Sequence, residues 1–168
     1  MNNELINQKL FHAVENGDVT SVETELQDEK LNAASYYGAK SILLAVENER
    51  ADILTILLEN SKNVNRSSFW SNKYRLAANT LLQAARSERT DLLKVLLQYG
   101  ANADKKDLKE SFVEALVSGN YEALKLLVDA GANVNIKDSK GYSPLMYGRY
   151  TPQKWQERQV SSFQLLWL

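Results

Sequence analysis

A chain of 168 residues is long enough to bury on the order of 70% of its unfolded surface in one domain. Its 44% hydrophobic and 24% charged residues, with two prolines and seven glycines, exclude the collagen-like and disordered classes. Twenty basic against twenty-one acidic residues leave a net charge of -1, so the broad positive field that drives nucleic-acid binding is missing and nucleic acid is not the expected partner.

There is no cysteine, hence no disulfide framework, thiolate metal site or cysteine nucleophile, and the expected compartment is intracellular, cytoplasmic. Met1-Asn2-Asn3-Glu4 shows no basic segment leading into an apolar stretch. No run approaches the roughly 18 apolar residues of a membrane span, so neither secretion nor insertion is expected.

In chain order, the first candidate helix is Gln8-Lys9-Leu10-Phe11-His12-Ala13-Val14-Glu15, closed by Asn16-Gly17-Asp18. A second follows, with Val22 and Leu26 facing inward and Glu23, Thr24, Glu25 and Gln27 around them, as suits the polar end of a stacked array. Next come a short apolar helix at Leu43-Leu44-Ala45-Val46 and a second at Ile53–Leu58, ending in Asn63-Val64-Asn65. The stretch Arg66–Arg75 then interleaves three aromatic with three basic residues. The pair recurs as Leu82-Gln83-Ala84-Ala85 with Leu92–Leu97, and as Val113-Glu114-Ala115-Leu116 with Ala123–Val128. Gly100-Ala101-Asn102-Ala103-Asp104 and Gly131-Ala132-Asn133-Val134-Asn135 follow these two pairs, and glycine just past a helical run is a helix-end signal.

Laid under one another, Ile53–Leu58, Leu92–Leu97 and Ala123–Val128 place apolar residues at the same positions around one polar residue, a helix seen three times. The small residues Ala13, Ala45, Ala84, Ala115 and Gly148 recur at spacings of 32, 39, 31 and 33 residues. The repeating unit is helix, tight turn, helix, extended loop.

Gly131–Asn135 followed by Asp138-Ser139-Lys140-Gly141-Tyr142-Ser143-Pro144-Leu145-Met146 resembles the ankyrin repeat, whose pattern is close to Gly-Ala-Asp-Val-Asn and then Asp-x-x-Gly-x-Thr-Pro-Leu-His. The resemblance implies an all-α ankyrin-repeat solenoid of about five repeats in one domain, at approximately 4–35, 36–65, 75–104, 106–135 and 139–168. An insertion falls at about 66–74, and the loop Lys105–Lys109 before the fourth repeat is short. The last repeat departs from pattern, with Gly148-Arg149 for the small pair and Pro152 where the turn should be. Its apolar end, Phe163–Leu168, is a candidate surface for self-association.

Each repeat leaves an apolar stripe that only its neighbours can cover. Leu54, Leu57 and Leu58, with Leu93, Leu96, Leu97 and Leu124, Leu127, Val128, carry the spacing of that buried face. The alanines fit a close approach between first helices.

Little in the chain points to catalysis. The single histidine, His12, lacks convergent partners in its repeat and is expected to be a partly buried helix residue. No G-x-S-x-G, glycine-rich phosphate loop or H-E-x-x-H occurs, so no enzyme, cofactor or metal is expected. Glu47, Glu49 and Asp52 cluster around one turn and read as a solvated turn, with Asp52 favouring the start of the next helix.

The resemblance implies a concave binding surface made of loop tips and the exposed side of each first helix. Its loop-tip positions here are Tyr36, Tyr37, Arg75, Lys106, Asp107, Ser139, Lys140 and Tyr142. Its helix positions, two and three after each alanine, are Glu15, Asn16, Glu47, Asn48, Arg86, Ser87, Val117 and Ser118. Tyr36, Tyr37 and Tyr142 suit partner contacts because tyrosine offers area with few rotors and a polar end; the alternative is that they pack on one another. Phe69 and Trp70 either anchor a partner or plug the gap the irregular spacing opens. Charge runs from Glu15 and Glu47 to Arg86, Lys105 and Lys106, so a partner of opposite polarity would be oriented. The expected function is a non-catalytic interaction module for another protein, whether adaptor, scaffold or an effector delivered into a host cell. The alternative is a regulatory subunit that occludes an enzyme's active site.

Overall fold

The computed structural model describes residues 3–27, 36–61, 76–101, 105–138, 140–144 and 146. The described residues form eight helices: α1 (Asn3–Glu15), α2 (Val19–Gln27), α3 (Tyr36–Glu47), α4 (Ala51–Glu59), α5 (Leu76–Arg86), α6 (Thr90–Gln98), α7 (Lys105–Ser118) and α8 (Tyr121–Asp129). They pair as α1–α2, α3–α4, α5–α6 and α7–α8. The first helices stack in the order α1, α3, α5, α7, and the second helices in the order α2, α4, α6, α8. The result is two helical layers with a continuous core between them.

Side-chain size explains the spacing within the first layer. Ala13, Ala45, Ala84 and Ala115 are all buried, the last three almost completely, where a larger side chain would push stacked helices apart. In the second layer Ile53, Leu54, Leu57 and Leu58, then Leu92, Leu93 and Leu96, then Ala123, Leu124 and Leu127 are buried. Leu97 and Val128, expected in the stripe, are half-buried instead. The stripe is turned by one residue because each second helix packs on its own first helix and on its neighbours in the second layer at once.

Three of the four turns within pairs share one backbone design. Asp18 N–H donates to the Ala13 carbonyl, as Arg50 does to Ala45 and Asn120 to Ala115, while Gly17, Glu49 and Gly119 donate to Val14, Val46 and Leu116. This satisfies the last carbonyls of the first helix and requires a left-handed residue just past its end. Gly17 (φ 67°) and Gly119 (φ 69°) supply it, but in the second repeat Glu49 does so at φ 55°. At Gly17 a Cβ would also come within 2.9 Å of an Arg50 guanidinium nitrogen.

Since a side chain in the left-handed region costs roughly 1 kcal/mol or more, Glu49→Gly should stabilise the protein by about 0.5–1 kcal/mol. The lost contact is weak, a 3.3 Å hydrogen bond from Ser87 Oγ to the exposed Glu49 carboxylate. A urea unfolding midpoint at or below that of the unaltered protein would show that this turn is not strained.

Residues 105–109, expected as a short loop, are instead the start of α7. Tyr36 and Tyr37 likewise open α3 rather than sit at a loop tip. Helix begins early in both places because side-chain burial starts early: Gly38, Ala39, Ser41 and Ile42 are buried in α3, and Asp107, Leu108, Ser111 and Phe112 in α7.

Candidate interaction surface

The second helices α4, α6 and α8 are joined to the preceding repeat by side chains placed five residues after Ala45, Ala84 and Ala115. Arg50 Nη1 donates to the Gly17 carbonyl at 3.1 Å, and Arg89 Nη1 to the Glu49 carbonyl at 3.2 Å. Asn120 Nδ2 donates to the Ser87 and Ala85 carbonyls at 2.7 and 3.3 Å. Both arginines also grip an aspartate two residues on, Arg50 with Asp52 and Arg89 with Asp91, through paired hydrogen bonds of 2.7–3.1 Å. Asp52 thus starts its helix as expected, but it is also one half of an ion pair. These links hold the turns in line.

The Arg50 hydrogen bond holds the Asp52 carboxyl at about 2, below its ordinary 3.8, and Arg89 lowers Asp91 in the same way. A depressed carboxylate contributes stability that is fully present above about pH 4 and is lost as the pH falls through about 2. Because the Asp52 side chain is 52% exposed, solvent screening keeps this contribution small. Asp52→Asn is therefore expected to lower the urea midpoint slightly at pH 6, with the deficit closing as the pH approaches 2. A deficit that stays constant across this range would assign the effect to packing.

Held in this way, the first helices present a row two residues after each alanine: Glu15, Glu47, Arg86 and Val117, all exposed. Asn16 and Asn48 beside them are exposed as well, whereas Ser87 and Ser118 are half-buried. Arg86 Nε donates to Glu114 Oε1 at 2.6 Å, so the charge expected to face a partner is shared with α7. Lys106 lies 3.9 Å from Glu110. Asp107 is buried rather than at a tip.

At the junction of α1 and α3, Tyr36 is 45% exposed and Tyr37 is half-buried. Their ring centroids are 5.4 Å apart at 76°, and Tyr37 is 6.0 Å from Phe11. Lys40 Nζ lies over the Phe11 and Tyr36 rings at 4.7 and 5.7 Å, within range of cation-π attraction. The two tyrosines do pack on one another, yet Tyr36 keeps nearly half its surface in solvent. His12 is exposed rather than partly buried, because Leu10, Phe11, Ala13 and Val14 take the inward side of α1. Its Nδ1 lies 3.1 Å from Glu15 Oε2.

The third component is the turn at 138–142. Asp138 Oδ1 accepts from the Lys140 and Tyr142 amides, each at 2.8 Å. Gly141 N–H donates to the Asp138 carbonyl at 3.1 Å with φ 82°, a conformation suited to glycine. This arrangement holds up Tyr142, which is 42% exposed. Behind it Pro144 is buried and Met146 is 41% exposed.

Between α5, α7 and this turn runs a groove of about 590 Å³ lined by Leu82, Lys109, Glu110, Val113, Lys137, Asp138 and Lys140. Of these, only Lys140 is among the interaction positions legible in the sequence. A signal existed: Phe11, Leu43, Leu82 and Val113 each stand two residues before an alanine, an apolar row facing the same side of the first layer. Tyr36, Tyr37 and Tyr142 do not converge on one spot in the way a pocket would require. They stand at two places, the α1–α3 junction and the far turn.

Phe69, Trp70 and Arg75 lie outside the described residues, as do the insertion and the apolar segment 163–168. Among the described residues no group of three or more His, Asp or Glu side chains could hold a metal ion. No helix among them is long and apolar enough to cross a membrane.

Residues 81–150 match the family model for ankyrin repeats (3 copies). This part of the chain is thus similar to ankyrin repeats. It is also similar to the crystal structure of EF0377, an ankyrin repeat protein. That likeness has 22% identity and a TM-score of 0.46, over 89% of this chain and 94% of that one. No curated protein shows a significant sequence match. The matched segment runs from α5 through the 138–142 turn, so the groove lies within ankyrin-repeat sequence. Ankyrin repeats generally mediate protein-protein interaction, and the proteins that carry them are typically non-catalytic scaffolds.

Proposed function

We propose that this ankyrin-repeat chain is a non-catalytic interaction module of about five repeats that binds a partner protein on the face formed by its first helices and turns. One observation supports this reading most. Among the described residues, the large apolar side chains left exposed are Tyr36, Val117, Tyr142 and Met146. All four lie on first helices or at the 138–146 segment, and none is on α2, α4, α6 or α8. A solenoid with no use for that face would gain solubility by making it polar.

Tyr36 and Tyr142 are the anchors in this reading, with Glu47, and Arg86 and Lys106 each shared with a carboxylate of α7, setting orientation. The test is a Tyr36→Ala/Tyr142→Ala double variant compared with the unaltered protein for melting temperature and for cross-linked capture of partner proteins. Capture lost with an unchanged melting temperature supports the reading. Undiminished capture would remove these tyrosines from the interface. If the captured partner is an enzyme, assaying it with saturating protein separates an adaptor from an occluding regulatory subunit.

A further inference from the structure

The groove between α5, α7 and the 138–142 turn combines features that together select a ligand class. Its apolar floor is Leu82 and Val113, both only half-buried. Around them stand Lys109, Lys137 and Lys140, all exposed, whose ammonium groups make no ion pair with any described residue. The two acidic side chains nearby are already engaged: Asp138 Oδ1 accepts two backbone amides, and Glu110 faces Lys106 at 3.9 Å. The volume of about 590 Å³ falls within the roughly 300–1,000 Å³ of ligand-sized clefts, room for a short segment rather than a folded domain.

We propose that this groove receives an acidic peptide segment of a partner protein. An apolar side chain of the segment rests on Leu82 and Val113, and its flanking carboxylates face Lys109, Lys137 and Lys140. The inference rests on the interaction-module reading and narrows it to a chemical class. Charge complementarity carries it: three lysines outnumber the two carboxylates of the lining, of which Asp138 is turned to backbone amides and Glu110 to Lys106, so the groove favours carboxylates beside a hydrophobic anchor over a basic segment. A nucleic-acid strand fits less well, because no aromatic ring lines the groove for base stacking.

The probe is a short fluorescein-labelled peptide of glutamates flanking a single leucine, titrated with the full chain and read by fluorescence anisotropy. Matched peptides carry lysine for glutamate or serine for leucine. The expected result is that only the acidic leucine peptide binds well, that added salt weakens it, and that Lys109→Glu/Lys137→Glu/Lys140→Glu reduces affinity about tenfold or more. If reversal disturbs the helical circular dichroism, the triple glutamine variant serves instead. Equal binding of the lysine peptide, unchanged affinity of the variants, or no binding of the acidic peptide would overturn the proposal. A single-stranded oligonucleotide that binds the groove more tightly than the peptide would overturn it in favour of nucleic acid. If the triple variant still captures a partner that Tyr36→Ala/Tyr142→Ala loses, the groove assignment fails while the interaction reading stands.

Discussion

Leu96→Ala should lower the unfolding free energy by about 2–5 kcal/mol, the range for emptying a well-packed leucine site. Leu96 is fully buried in α6, which packs on α5 of its own repeat and on α4 and α8 to either side. A cavity there cannot collapse easily, because any inward shift of one neighbour pulls it from the other. The stability of stacked repeats is a sum of repeat and interface terms, so a central lesion weakens two interfaces at once. Urea unfolding followed by circular dichroism measures the loss. A change below about 1 kcal/mol would mean that the site relaxes far more freely than a close-packed core allows.

The second large effect is expected at Asn120, a buried polar side chain with three hydrogen bonds. Its Oδ1 accepts from the Ala123 amide at the start of α8, while its Nδ2 reaches back to the Ser87 and Ala85 carbonyls in the preceding repeat. Asn120→Ala removes a helix cap, worth about 1 kcal/mol, and leaves buried carbonyl groups unpaired at about 1–3 kcal/mol. A total loss of about 2–3 kcal/mol is expected.

Asn120→Asp separates the two parts. It keeps the capping oxygen but brings a carboxylate to two carbonyl oxygens, so at neutral pH it should be at least as destabilising as alanine. Its folded-state pKa would be raised by that contact, so stability should recover as the pH falls and the carboxyl gains a proton to donate. An aspartate variant as stable as the unaltered protein at pH 7 would show that capping is the whole role of Asn120.

Both predictions rest on features that were unequally visible beforehand. The helix pairs, their order and the buried alanines could be read directly, since periodic apolar residues and a recurring small residue are local patterns that any stacked arrangement must satisfy. The Arg-x-Asp recurrence at Arg50-Ala51-Asp52 and Arg89-Thr90-Asp91 was also there to be read, at a constant five residues after each alanine. What could not be read is that those arginines and Asn120 donate to carbonyls in the preceding repeat, because a backbone carbonyl has no sequence signature.

The interaction face divides in the same way. The exposed row Glu15, Glu47, Arg86 and Val117 follows from position in the repeat, and Tyr142 follows from the Asp138–Gly141 turn chemistry. Position in the repeat would put Tyr36, Tyr37 and Lys106 at tips, yet they lie in helices that begin earlier than local signals suggest, since tertiary burial at Ala39 and Leu108 stabilises the added turn.

By itself, the sequence determined the pairing and order of the helices and the resemblance to ankyrin repeats, because stacked helix pairs cover narrow apolar stripes that none of them could bury alone. Only the tertiary structure decided which charges are already used and which face outward. Glu114 takes up Arg86, whereas Lys109, Lys137 and Lys140 around Leu82 and Val113 form no ion pair with any described residue. Pairing depends on distances between repeats, and those are set by how closely the alanine-lined helices pack.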